Sequence, residues 1–328
     1  MSNEAESEDR RWLGAALALA ERGVGRTAPN PSVGCVIAAG GRVVGRGWTQ
    51  PGGRPHAEAM ALDAADEAAR GATAYVTLEP CAHASNRGPA CVDRLIAAGV
   101  TRVVACGRDP DLRTRGKGFD RLREAGITVA VCGRYGEAAR INAGFFNRQR
   151  HGRPHVTLKL AMSLDGCIAL ADGTSRWITG ERSRAHAHLE RARADMIVVG
   201  AGTLAADDPA LDVRLEGLEG RAPRRAVISR TLAALPPDAR LGAAVLLRDL
   251  ADLDDDPTVL TVLVEGGAGI ATSLLAADRV DRLLIYRAPI VIGGRHGVGD
   301  LGLTDLAAAH GPRPVAATRH ARPGAGPG

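Results

Sequence analysis

One polar, basic stretch, Asn147-Arg-Gln-Arg-His-Gly-Arg-Pro154, interrupts a chain that otherwise alternates short apolar strand patterns with amphipathic helix patterns. Alternation of this kind requires layered α/β structure with a largely parallel sheet, because parallel strands need a crossover helix between them. The break near the middle requires two such units. A chain of 328 residues is long for one core and sufficient for two of about 150 residues each. We place the first domain at residues 1–148 and the second at 149–328, and the halves share no repeat.

In the first half, Trp12, Leu13, Ala16, Leu17 and Ala20 share one helix face, and Gly23 and Gly25 end it. Val33 to Ala38 and Arg42 to Trp48 read as a hairpin around Gly40-Gly41. Helices are expected from His56 to Arg70, Cys91 to Ala98 and Phe119 to Ala125, with strands at Ala74 to Leu78, Arg102 to Cys106 and Thr128 to Val131. The second half reads as strands at Val156 to Leu160, Met196 to Val199, Ala226 to Ile228, Val259 to Val264 and Arg282 to Tyr286. Helices at Arg182 to Arg193 and Gly269 to Leu275 complete it.

Composition removes several classes. With 45% hydrophobic and 24% charged residues the chain is globular rather than disordered or fibrous. Of 42 basic residues only Lys117 and Lys159 are lysine, and 37 acids reduce the net charge to +5. No dense basic block carries interleaved aromatics, so charge gives no indication of a nucleic-acid partner. No run reaches the roughly 18 apolar residues of a membrane span, and the acidic start from Ser2 to Asp9 is unlike a secretory leader, so a cytoplasmic protein is expected. The six cysteines are too scattered for a disulfide scaffold, which leaves core positions or metal ligation.

Three of those sites stand in a chemical pattern. His56-Ala57-Glu58 opens a helix, Glu79-Pro80-Cys81 follows a strand, and Cys91 opens the next helix. A zinc site with one open position takes three protein ligands, and thiolates are favoured at helix starts, where unpaired N–H groups and the dipole attract anions. Bound zinc brings the pKa of water to about 7, and a nearby carboxylate that is not a ligand can then move protons. Glu58 suits that second task. The usual base-deaminase signature is P-C-x-x-C, whereas nine residues separate Cys81 from Cys91 here, in a loop containing Asn86, Gly88 and Pro89.

With that longer spacing, the run Pro29-Asn30-Pro31-Ser32-Val33-Gly34-Cys35-Val36-Ile37, then His56-Ala57-Glu58, then Ala74-Tyr75-Val76-Thr77-Leu78-Glu79-Pro80-Cys81-Ala82-His83, resembles the deaminase domain of the bifunctional riboflavin-biosynthesis deaminase/reductase family. The resemblance covers about residues 10 to 145 and implies a cytidine-deaminase-like three-layer domain. It implies that His56, Cys81 and Cys91 ligate Zn2+, that Glu58 shuttles protons, and that Asn30 is an amide contacting the substrate base. Asn30 between two prolines also reads as a simple turn residue, and His83 suits a loop or substrate role better than a fourth ligand.

Four ordered blocks in the second half extend the likeness: Thr157 to Gly166, Ser175 to Gly180, Thr203 to Leu211 and Val264 to Gly269. The last is a strand, a glycine turn and a helix start, which suits a phosphate, although it is not G-x-G-x-x-G. Together they resemble the family's reductase domain, of dihydrofolate-reductase-like fold and NADPH-dependent. That resemblance places Ala161, Trp177, Thr203, Asp207, Gly267, Ala268, Gly269 and Ile270 along the cofactor, with Lys159 beside them. It places Ser175, Arg191, Leu211, Arg214 and Glu265 along the substrate, where guanidinium forks match a sugar phosphate.

The implied chemistry is hydrolytic deamination of 2,5-diamino-6-(5-phosphoribosylamino)pyrimidin-4-one, followed by NADPH-dependent reduction of the ribosyl unit to a ribityl chain. The implied partner is that phosphoribosylaminopyrimidine, in a homo-oligomer that binds neither nucleic acid nor membrane. Two departures stand out. Ser229-Arg230 lies where the family's strand end often carries an acid followed by serine, and Gly311 to Gly328 lacks a closing apolar strand. Two rivals stay open: a nucleic-acid base deaminase, which predicts C-x-x-C and no second half, and a relative whose second half is non-catalytic.

Overall fold

The structure, a computed structural model, describes residues 3–85 and 87–309. The described chain divides into two compact units: residues up to Pro154 together with Asp254–Leu260, and His155–Leu253 together with residues from Thr261 onward.

The first unit is built on five strands: β1 (Gly34–Ala39), β2 (Arg42–Trp48), β3 (Thr73–Val76), β4 (Arg102–Ala105) and β5 (Thr128–Val131), in the order β2-β1-β3-β4-β5. The hairpin β1–β2 and the β1–β3 pair are antiparallel, and β3, β4 and β5 run parallel. Helix α1 (Asn3–Ala20) packs Trp12, Leu13 and Leu17 against Val36, Tyr75 and Val104 on one face. Helices α2 (Ala57–Ala65), α3 (Cys91–Ala97) and α4 (Lys117–Glu124) cover the other face, where Ile37, Val76 and Val103 meet Ala61, Leu95, Phe119 and Leu122. The alternation of Val36 with Cys35 and Ile37 is the period of two that sends neighbouring side chains to opposite layers. Fully burying one such leucine or phenylalanine is worth about 1.5–3 kcal/mol.

The sequence patterns match these elements closely, with informative differences. Helix α1 begins earlier than expected because the acidic start is helical and Asp9, 2% exposed, accepts a bidentate pair from Arg102 of β4 at 2.7 Å. The polar stretch read as a linker is helical through His151: α5 (Tyr135–Ile141) and α6 (Ala143–His151) continue the first unit, and Gly152, at φ 71°, ends α6. Its arginines have structural work. Arg148 donates to the carbonyls of Asp254 and Val259, which holds residues 254–260 in the first unit.

The second unit contains β6 (His155–Met162), β7 (Cys167–Ala169), α7 (Glu181–Ala192), β8 (Met196–Gly200), α8 (Ala201–Asp207), β9 (Arg224–Ile228), β10 (Ala244–Leu247), β11 (Thr261–Glu265), α9 (Ala268–Ala276), β12 (Arg282–Arg287) and β13 (Arg295–His296). Six strands form one parallel sheet in the order β10-β9-β8-β11-β6-β12, and β13 pairs with β7. Strands β7, β10 and β13 and helix α8 escape sequence patterning because they are short and lie at edges or immediately after another element. The tail from Gly311 to Gly328 lies outside the described residues. No helix among the described residues is long and apolar enough to cross a membrane.

Candidate functional site

The metal pattern closes in space. Glycines at alternate positions of β2 let α2 press against the sheet: a Cβ at Gly45 would lie 2.1 Å from the Ala61 carbonyl oxygen, and one at Gly47 2.4 Å from that of Ala57. His56 is thereby fixed at the N-terminal edge of α2, and Glu58 points inward at 4% exposure. Cys81 follows β3, and Cys91 is the first residue of α3. His56 Nδ1 lies 3.3 Å from Cys91 Sγ and 3.6 Å from Cys81 Sγ, and the Cys91 N–H donates to Cys81 Sγ at 3.2 Å. The three donor atoms lie within 4.8 Å of one another, and among the described residues no other His, Cys, Asp or Glu group converges in this way.

One imidazole and two sulfurs are the donor set that zinc prefers, with a fourth position left open. The electrostatics favour a cation. Hydrogen bonds from Cys91 and His56 draw the Cys81 thiol well below its ordinary pKa despite burial. Its partner Cys91 is pushed up by the bond to Cys81, by burial and by Glu58. Burial also raises the Glu58 carboxyl, with His56 pulling against it and Cys81 adding to the rise. Three acidic groups therefore share one buried volume, and only Cys81 is drawn toward its anion.

Asn30 reaches this volume. Its side-chain nitrogen donates to the Gly53 carbonyl at 2.7 Å and lies 3.1 Å from His56 Nε2. His83 stands outside the donor set, with Nδ1 3.3 Å from Thr114 Oγ1. The sequence reading gave no role to Glu79 and Asp109. Glu79, 3% exposed, accepts N–H donors from Asp109, Gly116 and Phe119, which anchors the start of α4 beside the metal loop. Asp109, beyond the carboxyl end of β4, is 7% exposed, and burial with nearby Asp111, Glu79 and Cys81 pushes its carboxyl up to about 7. The sequence signal that marks it, and that was passed over, is a polar Asp-Pro pair at a strand's carboxyl end.

In the second unit, parallel register sets Lys159 of β6 beside Glu265 at the end of β11. Lys159 Nζ is 3.7 Å from Glu265 Oε2, and Arg191 of α7 grips the same carboxylate at 2.6 and 3.0 Å. Arg191 also donates to the Asp212 carbonyl at 2.9 Å, drawing in the stretch that carries Leu211 and Arg214. Burial alone would raise Glu265, but Arg191 and Lys159 outweigh it and hold the carboxyl below its usual range. Burial with Arg191 and Arg214 lowers His188, whose Nδ1 accepts the Arg214 N–H at 3.2 Å. Lys159, grouped by sequence with the cofactor, is thus placed among the substrate-assigned residues. Leu211 is buried at φ 51°, a left-handed conformation that costs a non-glycine residue about 1–2 kcal/mol.

The remaining positions form a second group along the sheet's carboxyl edge. Thr203 lies in the first turn of α8 after β8, and Gly267 caps α9 after β11, with Ala268, Gly269 and Ile270 in its first turn. Neither helix start has a side-chain cap, and the space beside Gly202, Gly267 and Gly269 is open, so the first N–H groups of two neighbouring helices are available to an anion. That cradle fits a dinucleotide's phosphates. Ile270 packs into the room left by Gly266, where a Cβ would lie 2.1 Å from its Cγ2. Ala161 is on β6, and Trp177 is 68% exposed with Arg184 stacked 4.6 Å from its ring centre. Arg176 ties the loop of Ser175 and Trp177 to Asp207 at 3.2 Å.

Comparison with known proteins agrees with both halves. Residues 6–107 match the cytidine and deoxycytidylate deaminase zinc-binding region, and residues 154–310 match the RibD C-terminal domain. The riboflavin biosynthesis protein RibD of Escherichia coli is 40% identical, with 87% of this chain and 89% of that protein covered. The chain belongs to the RibD family. The RibD of Aquifex aeolicus is 37% identical over 91% of this chain and 92% of its own length. Among solved structures, Acinetobacter baumannii RibD superposes with a TM-score of 0.84 at 35% identity, covering 93% of each chain. A diaminohydroxyphosphoribosylaminopyrimidine deaminase/5-amino-6-(5-phosphoribosylamino)uracil reductase from Thermotoga maritima gives 0.84 at 31% identity, with 93% of this chain and 94% of that one covered.

Proposed function

We propose that this RibD-family chain catalyses two consecutive steps of riboflavin biosynthesis. The first unit hydrolyses the 2-amino group of 2,5-diamino-6-(5-phosphoribosylamino)pyrimidin-4-one to give 5-amino-6-(5-phosphoribosylamino)uracil and ammonia. The second reduces the ribosyl unit to a ribityl chain. The observation that carries the reading is the convergence of His56, Cys81 and Cys91 around one point with the buried Glu58 carboxyl beside it.

His56, Cys81 and Cys91 would hold zinc, which supplies a Lewis acid that acidifies water. Glu58 is the proton carrier: its carboxylate takes one proton from the attacking water and passes it to the ring nitrogen, then takes the second from the resulting hydroxyl and gives it to the departing ammonia. Burial supports this role by raising the carboxyl toward the range in which it both accepts and donates. Asn30, at the rim beside His56, would orient the base.

NADPH supplies the hydride, and the open helix starts at Thr203 and Gly267 would hold its phosphates. Arg191 and Glu265 fix each other's geometry, and Lys159 presents its charge to the sugar. Arg214, 58% exposed, is positioned for the substrate phosphate. Opening the ribose gives an imine at C1′; hydride adds to that carbon, and a proton completes the amine. We also propose self-association, supported by β12, which is hydrogen-bonded on one side only among the described residues and exposes Ile285; sedimentation of the purified chain at more than one chain mass checks it.

Purified protein incubated with the diaminopyrimidine, with and without NADPH, tests the reading. Ammonia release in both cases and NADPH oxidation only after deamination are expected. Ammonia without NADPH oxidation would sink the bifunctional reading and leave a deaminase with a non-catalytic second unit.

A further inference from the structure

One face of the second sheet carries a polar row beside the Glu265 centre. Side chains level with each other in parallel register point the same way, so Arg282, Leu284 and Tyr286 of β12 share a face with Thr157, Lys159 and Ala161 of β6. Helix α7 lies over that face: His186 meets Tyr286, Glu190 meets Arg282, and Arg191 meets Glu265. Tyr286 is level with Ala161, two residues or about 6.6 Å nearer the carboxyl edge than Lys159. It therefore stands between the residues assigned to the sugar and the edge assigned to the cofactor.

The Tyr286 hydroxyl lies 2.7 Å from His186 Nδ1, and the two rings meet edge-on with centres 5.8 Å apart. On the far side of the imidazole, Nε2 is 3.9 Å from Glu190 Oε1, and Arg282 holds that carboxylate in turn. Tyr286 is 7% exposed and the His186 side chain 35%, so the row leads from a buried hydroxyl toward water. Lys159 Nζ is 5.8 Å from the Tyr286 ring centre, which sets the ring against the Glu265 centre. Burial, then the charges of Glu190 and Glu265, push the phenol up. A phenol of that kind gives its proton away only when another replaces it in the same movement.

Opening the ribosyl ring requires a proton donor. Arginine keeps its protons, the ionised Glu265 has none to give, and Lys159 is paired with it. We propose that Tyr286 protonates the ring oxygen of the ribosyl unit as the ring opens, and that His186, positioned by Glu190, replaces the proton. The C1′–O4′ bond breaks with its electron pair going to oxygen, which takes the Tyr286 proton, while the amine lone pair forms the C1′=N bond. The nitrogen then releases its own proton to water and leaves the neutral imine. The Nδ1 proton of His186 passes to the tyrosine oxygen, and Nε2, facing Glu190, takes one from water. One proton enters and one leaves, so ring opening is an isomerisation, and NADPH is consumed only when hydride reaches C1′.

The inference rests on the reductase reading of the second unit, and NADPH oxidation by the full-length protein with the pre-deaminated substrate separates the two. Tyr286→Phe keeps the ring and removes the hydroxyl. Its turnover should fall about 10²- to 10⁴-fold, with KM for substrate and for NADPH and the urea midpoint of the second unit close to wild type. His186→Ala should also lose turnover, and added imidazole should restore part of it in that variant but none in Tyr286→Phe. Turnover near wild type in either variant, or a loss confined to KM, overturns the relay while leaving the reductase standing. If Tyr286→Phe also unfolds more readily, the imidazole arm decides: rescue of His186→Ala supports the relay, and no rescue overturns it. If wild type oxidises no NADPH, the reductase reading fails, and this inference fails with it.

Discussion

The two polar centres of this chain are balanced in opposite ways. Around His56 the acidic groups oppose one another's ionisation: the hydrogen bond to Cys81 and burial raise Cys91, burial raises Glu58 against the pull of His56, and the charges of Glu58 on Cys91 and of Cys81 on both add to the rise. Around Glu265 the groups attract: Arg191 and Lys159 hold one carboxylate below its usual range. The first centre is complete only with a cation added. The second is already paired, carries spare positive charge, and suits an anionic sugar phosphate. A site that repels itself must be forced together by the fold, and the close seating of α2 on Gly45 and Gly47 does that.

The sharpest way to break the contrast is to remove a metal donor. Cys91→Ala should take zinc content, read by atomic absorption, from about one per chain to background and abolish ammonia release, because two remaining donors do not make a zinc site. NADPH oxidation with the pre-deaminated substrate should persist. Glu58→Gln makes a finer cut: deamination should fall about 10²- to 10⁴-fold with zinc retained, the range for losing a general acid–base. Zinc loss in Glu58→Gln would instead make Glu58 a ligand.

The same contrast explains what was legible in the sequence. Histidine and cysteine are few in this chain, so their placement at helix starts and a strand end was informative by residue type alone. Arginine is abundant, so nothing about Arg191 or Arg214 as residues marked them; only the ordered blocks did. The Lys159–Glu265 pair depends on parallel register between β6 and β11, which no local pattern encodes. Helix α6 was read as a linker because Asn147 to His151 is polar, yet Asn147 and Arg148 bond backbone carbonyls at 153, 154, 254 and 259. Polarity that satisfies distant carbonyls looks the same in sequence as polarity that faces water.

On the attractive side of the comparison, Glu265→Gln should remove the partner of two cations at once. Arg191, 14% exposed, would then be left with a carbonyl and the more exposed Asp212. Breaking a buried pair from one side costs about 3–5 kcal/mol, so the urea midpoint of the second unit should drop and reductase turnover should be lost. Deamination should continue in the same sample under native conditions. A second unit as stable as wild type would mean that the Arg191 pair contributes no net stability.

Asp109 offers a smaller test of the repulsive side. Its carboxyl is raised to about 7 in the folded chain, against about 3.9 in an unfolded one, so between those values the folded state holds the extra proton. Stability then falls as pH rises through that window, and above pH 7 the ionised acid, buried near Glu79, Asp111 and Cys81, opposes folding by up to about 4 kcal/mol. Asp109→Asn keeps an acceptor for the Asp111 N–H, which the aspartate receives at 2.8 Å, and removes the charge. In chelator-treated protein the variant's stability relative to wild type should therefore rise from pH 4 to pH 8, as read by paired urea titrations. A flat difference across that range would show that Asp109 titrates normally and that the crowding of anions stops at the metal donors and Glu58.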